Sequence, residues 1–231
     1  MKHINSLIVF SIVSMLSLGM LSSCKEKKKD PNARTDTYAT GKITFGADES
    51  FAPIIDEEMD VFHSIYPNAH VTPKYMSESE GMNLLLDDKL LLMITARDFK
   101  KSERENLKKR DRLPISIFMG YDGLALIANK NNNDSCLSVN TVKKILTGEY
   151  TQWSQINPAS KSRGEIIVAF DNKTSSTVHY VEDSILGGKA IVNANVVAVK
   201  KTADVIKYVE ENPGAIGIIG NNWLNDKRDT T

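Results

Sequence analysis

Short runs rich in β-branched residues alternate, from residue 41 onward, with segments whose apolar residues recur at helical spacing. The first helical segment carries Ile55, Met59 and Phe62 on one face. Parallel strands need a crossover between them, and a helix is the usual one, so this alternation is typical of an α/β fold. We therefore predict an α/β architecture with largely parallel sheets.

Two blocks of elements are predicted, with a crossing between them near residues 113–118. The first block has strands over residues 43–45, 70–75 and 90–95, helices from Pro53 and over 79–86, and a polar helix opened by a capping box over residues 102–105. Pro73 marks the strand over residues 70–75 as an edge strand. The second block has strands over residues 123–129, 165–170, 195–199 and 215–219, and helices beginning at Ser138, Ser175 and Thr202.

The first 24 residues have the features of a secretory leader. Lys2 and His3 precede an apolar stretch over residues 7–21 that is interrupted by serines and too short to span a bilayer. The sequence LSSC that follows resembles the bacterial lipobox, which implies cleavage before Cys24 and its acylation, for example with palmitate. The alternative is a plain secretory signal with a chance cysteine.

Residues 25–40 lack apolar periodicity and are rich in lysine, so we expect a disordered tether. Together with Cys24, this tether predicts a protein held to the cell envelope by an N-terminal lipid and facing the periplasm or exterior, without spanning the membrane.

Composition excludes several classes of protein. The 231 residues carry no formal net charge, which disfavours a nucleic-acid partner. Two cysteines cannot build a disulfide scaffold, and Cys136 has no assigned role. His63 and His70 are too far apart for helical metal-ligand spacing, so we expect no metal site and no cofactor.

Three motifs carry a family resemblance. Residues 121–129 (YDGLALIAN), 145–153 (ILTGEYTQW) and 212–217 (NPGAIG) resemble, in this order, motifs of PstS-like phosphate-binding proteins of ABC transporters. The resemblance covers roughly residues 42–220. It implies a two-lobed periplasmic-binding-protein-like (type II) fold, with a first lobe over residues 41–118, a second over 119–220, and closure on a ligand by hinge motion.

The same resemblance raises an expectation about the C-terminus. Family members usually continue beyond the strand over residues 215–219 and return to finish the first lobe, whereas residues 221–231 form only a polar tail. We therefore expect a first lobe that is incomplete at its C-terminal side, with an exposed sheet edge and exposed apolar surface.

The resemblance also points to three helix starts that would hold an oxyanion by hydroxyls and backbone N–H groups. In the first lobe these starts place Ser50 and Phe51 in one loop and Ser79 in the next. In the second lobe they place Ser175 and Thr177 at the hydroxyl positions, with Ser176 in place of the family's glycine. Each motif taken alone favours a simple helix cap, whereas three such starts converging on one cleft favour an anion site.

The charged residues depart from the family pattern. The family's second-lobe arginine aligns with Asp171, and its first-lobe aspartate aligns with Arg97, so the two charges have exchanged lobes. Such an exchange keeps one guanidinium for the anion and one carboxylate for the proton of hydrogen phosphate. The alternative is a slipped alignment in which Arg97 is a surface ion-pair partner. Acidic residues also stand in the binding loops, where they would repel phosphate unless they point away: Asp48, Glu49 and Glu78.

The resemblance implies a lipid-anchored solute-binding protein, not an enzyme, that captures inorganic phosphate and passes it to an ABC permease. One alternative is the same fold binding another small oxyanion or acting as a sensor. A lipoprotein hydrolase is a further alternative, because His179 lies one helical turn after Ser175 and Ser176.

Overall fold

A computed structural model describes residues 37, 39–132, 134, 136–159, 164–193 and 195–225. Cys24, its leader and nearly all of the expected tether lie outside these residues. Within the described part, no helix is long and apolar enough to cross a membrane.

The first lobe is a three-stranded parallel sheet with its helices. Its elements are β1 (Gly41–Asp48), α1 (Ala52–Ile65), β2 (Ala69–Met76), α2 (Glu78–Leu86), β3 (Met93–Ile94) and α3 (Lys101–Lys109). The strand order is β2-β1-β3, so β1 is central and β2 lies at an edge, as Pro73 predicts. A small core of Phe45, Ala47 and Ile55 packs beneath α1.

The second lobe is a four-stranded mixed sheet covered on both faces. Its elements are β4 (Leu124–Ala128), α4 (Val139–Leu146), α5 (Trp153–Ile156), β5 (Ile167–Phe170), α6 (Ser176–Tyr180), β6 (Val196–Ala198), α7 (Thr202–Glu211) and β7 (Ala215–Gly220). The order is β4-β7-β5-β6, with β4 antiparallel to β7 and the other pairs parallel.

β5 is buried on both faces. This explains why its sequence is a continuous run of apolar residues. Val168 and Phe170 point to a large core that includes Trp153, whereas Ala169 points to a second cluster with Val205. α4 begins at a Ser138 cap, as predicted, since the Ser138 hydroxyl accepts from the N–H of Thr141 at 3.0 Å. Gly148 follows α4 with φ +76°, a conformation that favours glycine. The helix predicted over residues 175–186 is split, because α6 gives way to a π-helical turn, Val181–Ile185.

Two predicted elements of the first lobe were wrong in extent. The strand predicted over residues 90–95 is reduced to β3, and Leu91 is exposed rather than buried. The side chain of Leu90 instead packs against Gly46 of β1. A Cβ at position 46 would lie 2.6 Å from Leu90 Cδ1, so this contact requires glycine. The capping box predicted over residues 102–105 is displaced, because Glu103 accepts from the N–H of Lys100 at 2.7 Å.

Residues 113–121, the connecting segment, join the two lobes as extended chain. Within the described residues, none of its backbone groups pairs with another backbone group. Ser116 ties the segment to the first lobe by donating to Asp98 Oδ1 at 2.6 Å. Its large apolar side chains are all exposed: Leu113, Ile115, Ile117, Phe118, Met119 and Tyr121.

Candidate functional site

The loop after β1 turns directly into the first helix. Asp48, the last residue of β1, accepts a hydrogen bond from the N–H of Ser50 at 3.0 Å, and a 3₁₀ turn over Glu49–Phe51 follows. Pro53 occupies the first turn of α1, where its missing N–H removes no helical hydrogen bond. This geometry buries Ser50 at the carboxyl end of the strand, while the ring of Phe51 packs against the first-lobe core.

The loop after β2 contacts the second lobe. Ser77 begins α2, and its hydroxyl accepts from the N–H of Glu80 at 3.4 Å. The N–H of Ser79 donates to the carbonyl oxygen of Thr174 at 3.4 Å, and the Thr174 hydroxyl donates to the Ser77 hydroxyl at 3.2 Å. The structure thus brings Ser79 to the opposite lobe through its backbone.

The loop after β5 supplies the second-lobe hydroxyls. Ser175 is the N-cap of α6, and its hydroxyl accepts from the N–H of Val178 at 3.3 Å. Ser176 and Thr177 follow in the first turn, and both are buried. The cap therefore holds the next two hydroxyls toward the first lobe.

Three hydroxyls from the two lobes meet directly. Ser176 Oγ donates to Ser50 Oγ at 3.2 Å, and Thr177 Oγ1 lies 3.5 Å from Ser50 Oγ. We call Ser50, Ser176 and Thr177 the hydroxyl cluster. Hydroxyls both donate and accept, so such a cluster can turn its donors toward the oxygens of an anion.

Two buried carboxyls lie at or beside the hydroxyl cluster, since Asp48 contacts Ser50 and Asp171 contacts Ser175. Asp48 is fully buried and Asp171 almost so. Burial raises the pKa of Asp48 despite the opposing hydrogen bond from Ser50, and burial also raises the pKa of Asp171. Among the described residues, Asp48 Oδ2 and Asp171 Oδ1 have no hydrogen-bond partner. The sequence analysis identified both residues, but only the fold shows that they are buried from solvent.

Arg97 lies in a different cluster of charges. Its Nη1 and Nη2 donate to the two carboxylate oxygens of Glu103 at 2.8 and 2.9 Å, and its Nε lies 3.8 Å from Glu78 Oε1. Glu78 is itself 1% exposed; its Oε1 lies 2.7 Å from His179 Nδ1, and its Oε2 accepts from the Thr95 hydroxyl. The Arg97 guanidinium is thus paired with carboxylates of its own lobe. His179, from the second lobe, contacts the first lobe through Glu78.

Sequence reasoning missed a further contact between the lobes. The carboxylate of Glu49 accepts from the hydroxyl of Thr202 at 2.7 Å and from its N–H at 3.3 Å, so it caps the first turn of α7. Burial raises the pKa of Glu49 more than these hydrogen bonds lower it. The two residues are 153 positions apart, and no local signal links them.

Residues 221–225, which were expected to belong to a polar tail, form a 3₁₀ helix beside the site. The side-chain N–H groups of Asn222 and Trp223 donate to the carbonyl oxygen of Ser50 at 3.0 and 3.1 Å. These two bonds fix the backbone that carries the Ser50 hydroxyl. Trp223 and Leu224, in a stretch that is otherwise polar, were the signal in the sequence.

Metal-binding side chains do not cluster in the described part of the chain, where no group of three or more His, Cys, Asp or Glu side chains could hold an ion. Cys136 is free and exposed. The arrangement is therefore one of hydroxyls, backbone donors and carboxyls at an interlobe contact.

The fold and this site correspond to a known family. The model of the PBP superfamily domain matches residues 32–231, so the chain belongs to this family and has the periplasmic-binding-protein-like fold. The resemblance to PstS-like phosphate-binding proteins is confirmed, and the homologues are solute-binding proteins of ABC transporters.

Individual relatives are distant. The phosphate-binding protein PstS of Borreliella burgdorferi is 26% identical over 92% of this chain and 71% of its own length. Other curated relatives are matched over 39% to 65% of their length. A substrate-binding protein from Clostridium perfringens, solved with bound phosphate, superposes with a TM-score of 0.68 at 22% identity, covering 80% of this chain and 73% of that one. A variant of the OxyR2 regulatory domain from Vibrio vulnificus also superposes, with a TM-score of 0.56 at 12% identity over 84% and 80% of the two chains. The fold alone therefore does not decide function.

Proposed function

We propose that this chain is a lipid-anchored solute-binding protein that captures inorganic phosphate between its lobes and passes it to an ABC permease. The observation that carries the proposal is the hydroxyl cluster, which joins Ser50 of the first lobe to Ser176 and Thr177 of the second. The phosphate-binding names of the relatives support the same ligand. The expected cellular place is the cell envelope, facing the periplasm or exterior.

Phosphate would be held mainly by donors. The hydroxyl cluster and the N–H groups at the starts of α1 and α2, near Phe51 and Ser79, supply neutral donors for its oxygens. Ser175 caps α6 and so positions the hydroxyls of Ser176 and Thr177 in its first turn. Asp171 is proposed to accept the proton of hydrogen phosphate. Arg97 remains a proposed anion contact, and it would have to exchange Glu103 for the ligand.

Binding can be tested by calorimetry and thermal unfolding with phosphate. At a hundredfold excess over Kd, phosphate should stabilise the protein by ~2.7 kcal/mol. Ser50→Ala should weaken phosphate binding about fivefold, because it removes a donor worth about 1 kcal/mol from a buried site. Ser64→Ala, on the exposed face of α1, is the matched control and should bind like the parent. No shift with phosphate in the parent would refute the proposal.

Lipid anchoring can be tested separately. Cys24→Ser should abolish labelling by a radioactive fatty acid and release the protein from membranes, whereas Cys136→Ser should leave both unchanged. An unlabelled, soluble parent would exclude the anchor without affecting phosphate binding.

A second candidate function is the binding of another small oxyanion, or sensing. The buried carboxyls Asp48 and Asp171 disfavour an anion that carries no proton, such as sulfate, so they limit this candidate to oxyanions that carry one. Calorimetry with sulfate beside phosphate separates the two, because the proposed receptor should prefer phosphate. The hydrolase alternative gains an orienting carboxylate, since Glu78 Oε1 lies 2.7 Å from His179 Nδ1, but among the described residues no hydrogen bond joins the His179 ring to a serine hydroxyl.

A further inference from the structure

Asp48 is the carboxyl nearest in the chain to the hydroxyl cluster. It ends β1, is 0% exposed, and directs Oδ1 to the N–H of Ser50 at 3.0 Å. Its other oxygen, Oδ2, has no hydrogen-bond partner among the described residues. The hydroxyls of Ser176 and Ser50 also act on this carboxyl and oppose the effect of burial on its pKa, although neither meets Oδ2 with hydrogen-bond geometry. A buried polar atom that lacks a hydrogen-bond partner costs free energy. A bound ligand would supply that partner to Asp48 Oδ2.

Within the part of the chain that the structure describes, the only charged side chain that acts on Asp48 is itself a carboxylate. Glu78 at the start of α2 repels its charge, and Glu49 follows it in the chain. From the second lobe, Asp171 brings a further buried carboxyl near Glu49, while Lys173 in the same loop is exposed.

Two positively charged or chargeable groups lie nearby, and both are engaged elsewhere. Arg97 is bound to Glu103, with Nε toward Glu78, and His179 of α6 also contacts Glu78. Burial, reinforced by Glu78, raises the pKa of Asp48 against the opposing effect of Ser50 and Ser176. A dry carboxyl without a counterion favours its neutral form.

We propose that Asp48 contacts the bound oxyanion as a neutral carboxylic acid, with Oδ1 accepting from the Ser50 N–H and the Oδ2 hydroxyl donating to a phosphate oxygen. This inference rests on the proposed function and names the protonation state that the site requires. Asp48 then adds one donor to the hydroxyl cluster without adding charge. Because an ionised Asp48 would repel the ligand, phosphate binding is coupled to a proton on this side chain.

Asparagine tests the proposal, because its amide reproduces a neutral acid: the carbonyl oxygen accepts from Ser50 and the NH₂ donates to the ligand. We expect Asp48→Asn to bind phosphate within threefold of the parent at pH 5.5. At pH 8 the variant should bind more tightly than the parent, because only the parent can ionise at this position. The ratio of the two affinities cancels the titration of phosphate itself. Asp204→Asn removes the same charge from the exposed side of α7 and should follow the parent at both pH values.

If Asp48 binds phosphate in its ionised form, Asp48→Asn should have the opposite effect. If Asp48 is an ionised acceptor of the phosphate hydroxyl, Asp48→Asn places a donor where an acceptor is needed and binds at least tenfold more weakly at pH 5.5. That result, in a variant that unfolds as cooperatively as the parent, would overturn the inference and leave the proposed function intact. Absence of phosphate binding by the parent at both pH values would instead refute the proposed function, and this inference with it.

Discussion

The two lobes differ in how completely they bury their apolar residues. In the second lobe, helices cover both faces of a four-stranded sheet, and Trp153 and Phe170 are almost inaccessible. In the first lobe, a three-stranded sheet has a small core around Phe45, and the connecting segment leaves six large apolar side chains exposed. The exposed sheet edge and apolar surface expected on the first lobe stay a prediction. We infer that the second lobe supplies most of the stability, whereas the first contributes binding loops on a lighter frame.

The largest expected effect comes from the second-lobe core. Trp153→Ala should lower the free energy of unfolding by about 3–5 kcal/mol, because it leaves a cavity and removes the hydrogen bond from Trp153 Nε1 to the carbonyl oxygen of Gly214. Tyr121→Ala, at a position that is 97% exposed in the connecting segment, is the matched control and should change stability by less than about 0.5 kcal/mol. Urea unfolding measures both. Comparable losses would show that the burial of Trp153 in the second-lobe core does not set the cost of its removal.

The next effect concerns which lobe supplies charge to the ligand. If Arg97 leaves Glu103 to bind phosphate, Arg97→Ala should cost ~2–5 kcal/mol of binding, and Arg97→Lys should recover only part of it. Lys173→Ala, on the exposed loop of the second lobe, should cost less. Titration of phosphate at fixed salt measures all three variants. Affinity like the parent's in Arg97→Ala would confine this residue to the ion pairs of the first lobe.

A smaller effect is expected where the lobes touch through Glu49. A carboxyl whose pKa is raised in the folded state binds its proton more tightly than in the unfolded chain, so its contribution to stability is present at low pH and lost as pH rises through the folded pKa. Glu49→Gln keeps an acceptor for Thr202 but cannot ionise. The stability of the parent relative to this variant should therefore be lower at pH 8 than at pH 5.

Urea unfolding at the two pH values tests this expectation for Glu49. Glu57→Gln, on the exposed face of α1, is the control and should show no such trend. An equal difference between parent and Glu49→Gln at both pH values would show that the Glu49 carboxyl does not change its protonation on folding.

Substitutions in the connecting segment should have the smallest effect on stability but a clear effect on surface properties. Ile117→Ser and Phe118→Ser should leave the unfolding midpoint almost unchanged, because both side chains are already exposed. The same substitutions should reduce binding of a hydrophobic dye and any self-association in sedimentation. Val139→Ser, an exposed apolar residue of α4, controls for the loss of a single apolar side chain. A parent that binds no dye would show that this surface is covered in solution.

Local sequence signals predicted the helix starts better than the strand ends. Ser138 and Ser175 were predicted as helix starts because an N-cap depends on the next three residues. The strand over residues 90–95 was overestimated, because its extent depends on pairing with β1 and on the missing side chain of Gly46. Apolar runs alone do not distinguish a paired strand from an exposed loop.

What the sequence determined by itself was the α/β class, the family resemblance and the hydroxyl side chains at the helix starts, since each depends on residues close together in the chain. The tertiary structure decided which of those groups meet. Ser50 reaches Ser176 across 126 positions, and Glu78 reaches His179 across 101. It also decided that Asp48 is dry and that Arg97 is engaged by Glu103, because burial and ion pairing depend on elements folded against one another rather than on neighbours in sequence.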